Sequence, residues 1–321
     1  MRRYALRITA AAVFILAVSA GFFSGDLDAM SWPSESAILI RNFGSNNSGR
    51  PVLGMVFSGD TEVLAAERGE IIFSRGANDA SRLPSPLGAW TAIDHGDGLI
   101  SIYSRYADSR AADSRTADSR AADGSAGDSI ASEAVPFPLT QVEKQQPIAS
   151  SGISGWSAQN GFYFIVYDRR ERRWINPAMI VTPLRETRPV QILSVELRNA
   201  QGAMVQSRSL NQGRYTILVN AASPPAVSPP AVRGNPLAPQ RIVCSVNGAE
   251  AGSLNFEAVS ARDGILMVYR NGLVPARQVY ENYPAFEAAE VFLNRGQANL
   301  EIIVQDAAGV SRSYSNRLFV N

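Results

Sequence analysis

The two residue types that carry most metal and nucleophile chemistry are nearly missing from this sequence, which has one histidine, His95, and one cysteine, Cys244. A lone cysteine cannot close an intramolecular disulfide, so Cys244 reads as a buried small hydrophobe or as an intermolecular link. A structural zinc site of four Cys/His ligands cannot be assembled from one of each, and neither can a two-histidine site. The signatures G-x-S-x-G, H-E-x-x-H and G-x-x-x-x-G-K-S/T are also absent. Charge is balanced, with 30 Lys+Arg against 29 Asp+Glu. No polybasic surface for nucleic acid follows from that balance.

What is present is enough apolar material for a core: 45% of 321 residues are hydrophobic, a length that suggests about two domains. Residues 1-23 begin with Arg2, Arg3 and Arg7 and continue through an apolar run from Ile8 to Phe23. This is the n-region and h-region of a signal peptide, with Val18-Ser19-Ala20 offering cleavage after Ala20 and Leu27-Asp28-Ala29 a poorer option. The rival reading is an uncleaved N-terminal anchor, although the run falls slightly short of the roughly 20 residues that span a bilayer. Either way the rest is expected to be exported to the periplasm or cell envelope. No later segment is long and apolar enough to cross a membrane, and no nearby cysteine could carry a lipid.

Beyond the leader, runs of four to six residues such as Glu70-Ile71-Ile72-Phe73, Leu99-Ile100-Ser101-Ile102-Tyr103 and Phe162-Tyr163-Phe164-Ile165-Val166-Tyr167 are punctuated by Gly, Pro, Asn and Asp. They are too short for helices and rich in β-branched and aromatic residues, so the fold class reads as all-β. A five-residue repeat beginning Ala107-Asp108-Ser109-Arg110 interrupts them, and residues 107-133 read as a disordered surface insertion because nothing in them can form a core. After Thr182-Pro183 about eight further strand-like runs follow, among them Arg241 to Val246 and Leu300 to Val304. That density suggests a β-sandwich over 189-321.

Several patches of the first part resemble the LytM-type, lysostaphin-like zinc endopeptidases, which cut peptide cross-links in bacterial cell walls. Asn42-Phe43-Gly44 is similar to that family's early Phe-Gly turn, and residues Asp60 to Phe73 to its G-T-P-V-x-A-x-x-x-G-x-V strand pair. Ile93-Asp94-His95-Gly96-Asp97-Gly98 resembles its I-D-H-G-N-G hairpin. Ile148 to Gly152, Phe164 to Asp168 and Asn176-Pro177 are similar to its I-G-x-x-G turn, its H-L-H-F-E-V-x-D strand and its closing Asn-Pro. These matches run in order over about residues 40-180. The resemblance implies a LytM-like β-sheet domain over 36-182.

The departures matter more. The family holds zinc with the His and Asp of an H-x-G-x-D segment and the second His of H-x-H. Here the first segment falls on Val52 to Val56 or, without a gap, on Arg50 to Gly54. The H-x-H positions fall on Gly161-Phe162-Tyr163, and the histidine of Y-A-H-L on Arg105. Valine and glycine offer a metal no side-chain lone pair, tyrosine is a poor ligand at neutral pH, and a guanidinium repels a cation. The expectation is therefore a pseudo-peptidase without zinc or another cofactor. His95 sits where the family has a turn histidine that is not a ligand. The family's groove would be lined by Arg105, Tyr163, Tyr103 and Trp90, suited to stacking and to an anion or peptide carboxylate. The rival is that these aromatics only fill the space of a lost site.

In the second part, Gly296 to Gly309 followed by Leu318-Phe319-Val320 is similar to the terminal hairpin of bacterial Ig-like domains, with Asp306-Ala307-Ala308-Gly309 as its turn. The leading functional expectation is an exported, non-catalytic protein that binds peptidoglycan or regulates a wall hydrolase. The alternatives are an active wall hydrolase with an unrecognised site, and a purely structural or adhesive envelope protein.

Overall fold

The computed structural model describes residues 29–76, 85–106, 108–109, 140–155, 157, 159–185, 188–205, 209–228, 232–233 and 235–321. The leader lies outside them, as does the repeat-bearing segment apart from Asp108–Ser109, which pair as a short strand with Ser150 and Ala149. At those two residues the expectation of disorder gives way to a ladder. Among the described residues, regular structure is almost wholly β, joined by one 3-10 turn at Pro177–Met179 and one helical turn at Ala276–Val279. Among the described residues no helix is long and apolar enough to cross a membrane.

The first half contributes β1 (Ile38–Arg41), β2 (Met55–Ser58), β3 (Glu62–Leu64), β4 (Gly69–Arg75), β5 (Ala89–Asp94) and β6 (Leu99–Tyr106). It continues with β7 (Asp108–Ser109), β8 (Thr140–Val142), β9 (Pro147–Ser150), β10 (Gly161–Asp168) and β11 (Arg173–Ile175). Strand β10 lies between β2 and β6, and its first six residues are all buried. Its unbroken apolar run from Phe162 to Tyr167 fits a strand covered on both faces, where alternation is not required. On one face Met55, Phe57, Tyr103, Phe162, Phe164 and Val166 close a core with Trp32 and Ile148. Phe57 and Phe162 stack there with centroids 4.8 Å apart, a geometry worth about 1 kcal/mol beyond the area buried.

The second half contributes β12 (Gln191–Asn199), β13 (Met204–Val205), β14 (Ser209–Leu210), β15 (Gly213–Ala222), β16 (Val227–Ser228), β17 (Val232–Arg233) and β18 (Arg241–Val246). The long β19 (Ala249–Arg262) follows, then β20 (Ile265–Arg270), β21 (Leu273–Pro275), β22 (Phe286–Leu293), β23 (Gly296–Gln305) and β24 (Ser311–Val320). A four-stranded sheet, β13-β12-β15-β22, packs on β24-β23-β18-β19 as a sandwich. Strand β23 shows the period of two that sets its inner face: Ala298, Leu300, Ile302 and Val304 are buried, and Asn299, Glu301 and Ile303 are exposed. Cys244 is fully buried in this core, and burial pushes its thiol up to about 12, where it stays protonated. In the turn after β23 the Asp306 carboxylate accepts from Ala308 N, Val310 N and Val190 N, tying the last hairpin to the start of this half.

The halves share a sheet. Strand β11 pairs with β10 on one side and β19 on the other, with Trp174 opposite Tyr167 and Val259. Asn42 exchanges two bonds of 2.8 Å with the backbone of Ala238, and Asn176 Nδ2 donates to Phe256 O at 3.0 Å. Phe43 is fully buried in the sandwich core, not in the core of its own half. The Asn-Phe-Gly and Asn-Pro motifs that carried the resemblance therefore work at the junction.

Candidate functional site

The face of the sheet opposite the Phe57–Phe162 core carries the candidate groove. Residues directly opposite one another in an antiparallel ladder point to the same side. Arg41 lies opposite Val56, Val56 opposite Tyr163, Tyr163 opposite Ser104, and Ser104 opposite Trp90. These five residues from β1, β2, β10, β6 and β5 thus form one row on one face. Phe73, one strand further on, stacks on Trp90 with centroids 4.0 Å apart.

Three of the positions singled out in the sequence, Val56, Tyr163 and Trp90, lie in this row, and Val52 and Arg105 lie against Tyr163. Val52, Tyr163 and Ile165 form a buried cluster against Val56, Ile102 and Trp174. Arg50 lies exposed in the preceding turn, so the register that places the H-x-G-x-D positions on Val52 and Val56 is the one that brings them against Tyr163. Gly54 suits that register, because a Cβ there would lie 2.2 Å from Phe164 O. A Cβ at Gly161 would lie 1.9 Å from Phe57 O, so the backbone that closes β2 onto β10 leaves position 161 no room for an imidazole.

Tyr163 is held at both ends. Its hydroxyl accepts from Leu53 N at 2.8 Å, and the Arg105 guanidinium carbon lies 5.3 Å from its ring centroid, within cation–π range. Burial pushes its phenol up to about 12, against the opposing effects of Leu53 N, Arg105 and Arg41, so it stays neutral. Arg105 reaches this face through a bulge. The register slips between Ala89 and Trp90, which leaves Arg105 unpaired in β6 with φ +66° while its N–H donates to Leu87 O at 2.8 Å. Such a bulge re-aims a side chain, and φ of this sign is uncommon outside glycine. Burial pulls the guanidinium below its ordinary value, and the Arg41 charge adds to that pull while Tyr163 opposes it.

Not every expected groove residue joins. Tyr103 is fully buried on the opposite face, where its hydroxyl accepts from Ala66 N at 2.7 Å, so it cannot line the groove. His95 is a hairpin residue. The Arg68 carbonyl accepts from Nδ1 at 2.8 Å, which makes Nε2, 2.7 Å from Ser101 Oγ, the acceptor of that hydroxyl in the neutral ring. Arg41 was missed by the sequence reading. The Asn235 carboxamide oxygen, in the orientation that satisfies both of its polar atoms, accepts from Arg41 Nε at 2.7 Å and Nη2 at 3.1 Å.

The donor set does not fit a zinc ion. Val52, Val56 and Gly161 have no side-chain lone pair, the Tyr163 phenol is neutral and already accepting, and two guanidiniums flank it. Among the described residues no three His, Cys, Asp or Glu side chains gather. What the row can do is stack apolar or aromatic groups on Trp90 and meet an anion at Arg41 and Arg105.

A protein-family model matches residues 189–321. No curated protein matches the chain. Among solved structures the chain is similar to the catalytic domain of the prophage-encoded protein EnpA from Enterococcus faecalis, at 14% identity and a TM-score of 0.33 over 46% of this chain and 94% of that one. It is also similar to a chain of the SpoIIQ–SpoIIIAH pore-forming complex, at 16% identity and a TM-score of 0.32 over 48% and 90%. Lysostaphin from Staphylococcus simulans matches at 13% identity and a TM-score of 0.29 over 75% and 85%. At these scores no residue role is carried over, and the groove stands on its own geometry.

Proposed function

We propose that this chain is an exported, metal-free binding protein that uses the LytM-like groove to hold a component of the bacterial cell wall, either peptidoglycan itself or a wall hydrolase that it regulates. The observation that carries this reading is a packed cluster: Val52, Val56 and Tyr163, the positions that the resemblance aligns with the family's zinc ligands, lie against one another, with Arg105 laid over the tyrosine ring. The reading draws on the ordered motif matches between Asn42 and Pro177, and on the leader-like start at Met1 to Phe23. The second half serves in it as an Ig-like spacer and docking platform. With no paired nucleophile and base in the row, a bound peptide is held and not cut.

Co-sedimentation of the purified chain with purified peptidoglycan, run beside an assay for released peptides, tests this. The expected result is saturable sedimentation without release, weakened in Arg105→Ala, or enrichment of a wall hydrolase from envelope extracts. Peptide release that survives repurification would make the chain an enzyme and overturn the reading. Sedimentation unchanged in Arg105→Ala would remove the groove from it.

A further inference from the structure

Arg105 and Arg41 are half-buried arginines on one face of the sheet. Arg105 makes no side-chain hydrogen bond among the described residues, and its Nε is buried without an acceptor. Among the described residues Arg41 hydrogen-bonds only to the neutral Asn235, through one edge of its fork, which leaves the other edge to donate elsewhere. No carboxylate among the described residues pairs with either one, although both are half-buried and lie near enough to repel. Beyond Tyr163 in the row, the fully buried Ser104 hydroxyl also lacks a partner among the described residues. Unpaired buried charges and hydroxyls are costly. Here the two guanidinium charges lie near the Tyr163 ring, and one of them is carried by a strained residue.

We propose that Arg41 and Arg105 form a subsite for the free carboxylate at the end of a peptide, whose last side chains lie along the row toward Trp90. Two guanidiniums can grip the two oxygens of a planar carboxylate. The floor of the row, Val56 and the Tyr163 ring, is apolar, and Trp90 stacked on Phe73 supplies a flat aromatic surface one strand beyond Ser104. A single negative charge joined to an apolar chain matches that arrangement; an isolated phosphate would leave the aromatic surface unused. The proposal rests on the binding reading above and deepens it by naming the end of the peptide that is held.

The test titrates acetyl-alanyl-alanine, as the free acid and as its C-terminal amide, into the full chain and its Arg41→Gln variant, following tryptophan fluorescence and heat. The free acid is expected to saturate, and the amide to bind about tenfold more weakly or worse. The acid-to-amide ratio is expected to fall to near one in Arg41→Gln. Equal binding of acid and amide by the parent chain overturns the proposal and needs no variant, so misfolding cannot hide it. A ratio that persists in Arg41→Gln, or inorganic phosphate displacing the free acid better than acetate does, also overturns it. If the dipeptide acid binds but peptidoglycan does not sediment the chain and no wall hydrolase is enriched with it, the wall reading falls and the subsite stands. If Arg41→Gln sediments with peptidoglycan as the parent does, the subsite falls and the wall reading stands.

Discussion

Two pairs of arginines converge within this molecule, Arg198 with Arg270 in the sandwich and Arg41 with Arg105 in the groove, and they differ in what lies between them. In the sandwich the nearly inaccessible Glu287 takes Arg198 Nη2 on one oxygen at 2.7 Å and Arg270 Nη1 on the other, while Gln278 Nε2 donates to it at 3.2 Å. In the groove the group between the arginines is a neutral phenol ring. The first pair is complete within the fold, so its charges are compensated whatever the solvent holds. The second is compensated by nothing the described residues supply, which is how a site built for an external anion differs from an ion pair built for stability.

Removing the compensating charge from the first pair should have the largest effect. Glu287→Gln leaves Arg198 without its anion and Arg270 with only the exposed Glu290 carboxylate at 3.5 Å, and urea unfolding should show a loss of about 3 kcal/mol or more; a loss under about 1 kcal/mol would mean that solvent already screens the pair. Tyr163→Phe comes next. It strips the acceptor from Leu53 N while keeping the ring under Arg105, and should lower stability by about 1 kcal/mol with the acid-to-amide preference intact.

A smaller effect concerns His95. Burial lowers its pKa, outweighing the Arg68 carbonyl and the charges of Glu67 and Asp94, so the folded chain favours the neutral ring more than the unfolded chain does. Stability from this residue is therefore complete above the unfolded value of about 6.5 and is lost as pH falls through the lower folded value. The denaturation midpoint should drop modestly on acidification below that point in the parent, and less in His95→Gln. Smallest of all should be Arg105→Gln and Arg41→Gln, whose melting temperatures should stay level or rise slightly, because each removes one of two repelling cations. Binding that falls while stability does not is the signature that would set the groove pair apart from the sandwich pair.

Most strands could be read from the sequence because their alternation is regular: β18 spans Arg241–Val246 as the apolar run suggested, and β23 extends Leu300 to Val304 at both ends. The four-residue β1 and β2 were not recognised as strands, since β1 ends in a bulge and β2 follows Pro51 and Gly54 in a segment read as a motif. The same kind of irregularity hid part of the site. In a plain strand Tyr103 and Arg105 would share a face, and the sequence reading grouped them so. The bulge at Arg105 separates them, sending Tyr103 into the core and Arg105 over Tyr163. Arg41 belongs to the row only because β1 slips between Leu39 and Arg41. Its one local hint was a charged residue closing the apolar run Ile38-Leu39-Ile40. Register shifts of this kind are set by three-dimensional closure and leave little trace in a one-dimensional pattern.

The ladder from β10 through β11 to β19 has a mechanical meaning for whatever enters the groove. Two lobes joined by a loop can swing and clasp a guest, spending part of the binding free energy on closure. Lobes joined rung by rung through Tyr167, Trp174 and Val259 cannot swing without breaking main-chain bonds. A guest would therefore meet a preset contour, and association should follow a single second-order step without a later rearrangement phase.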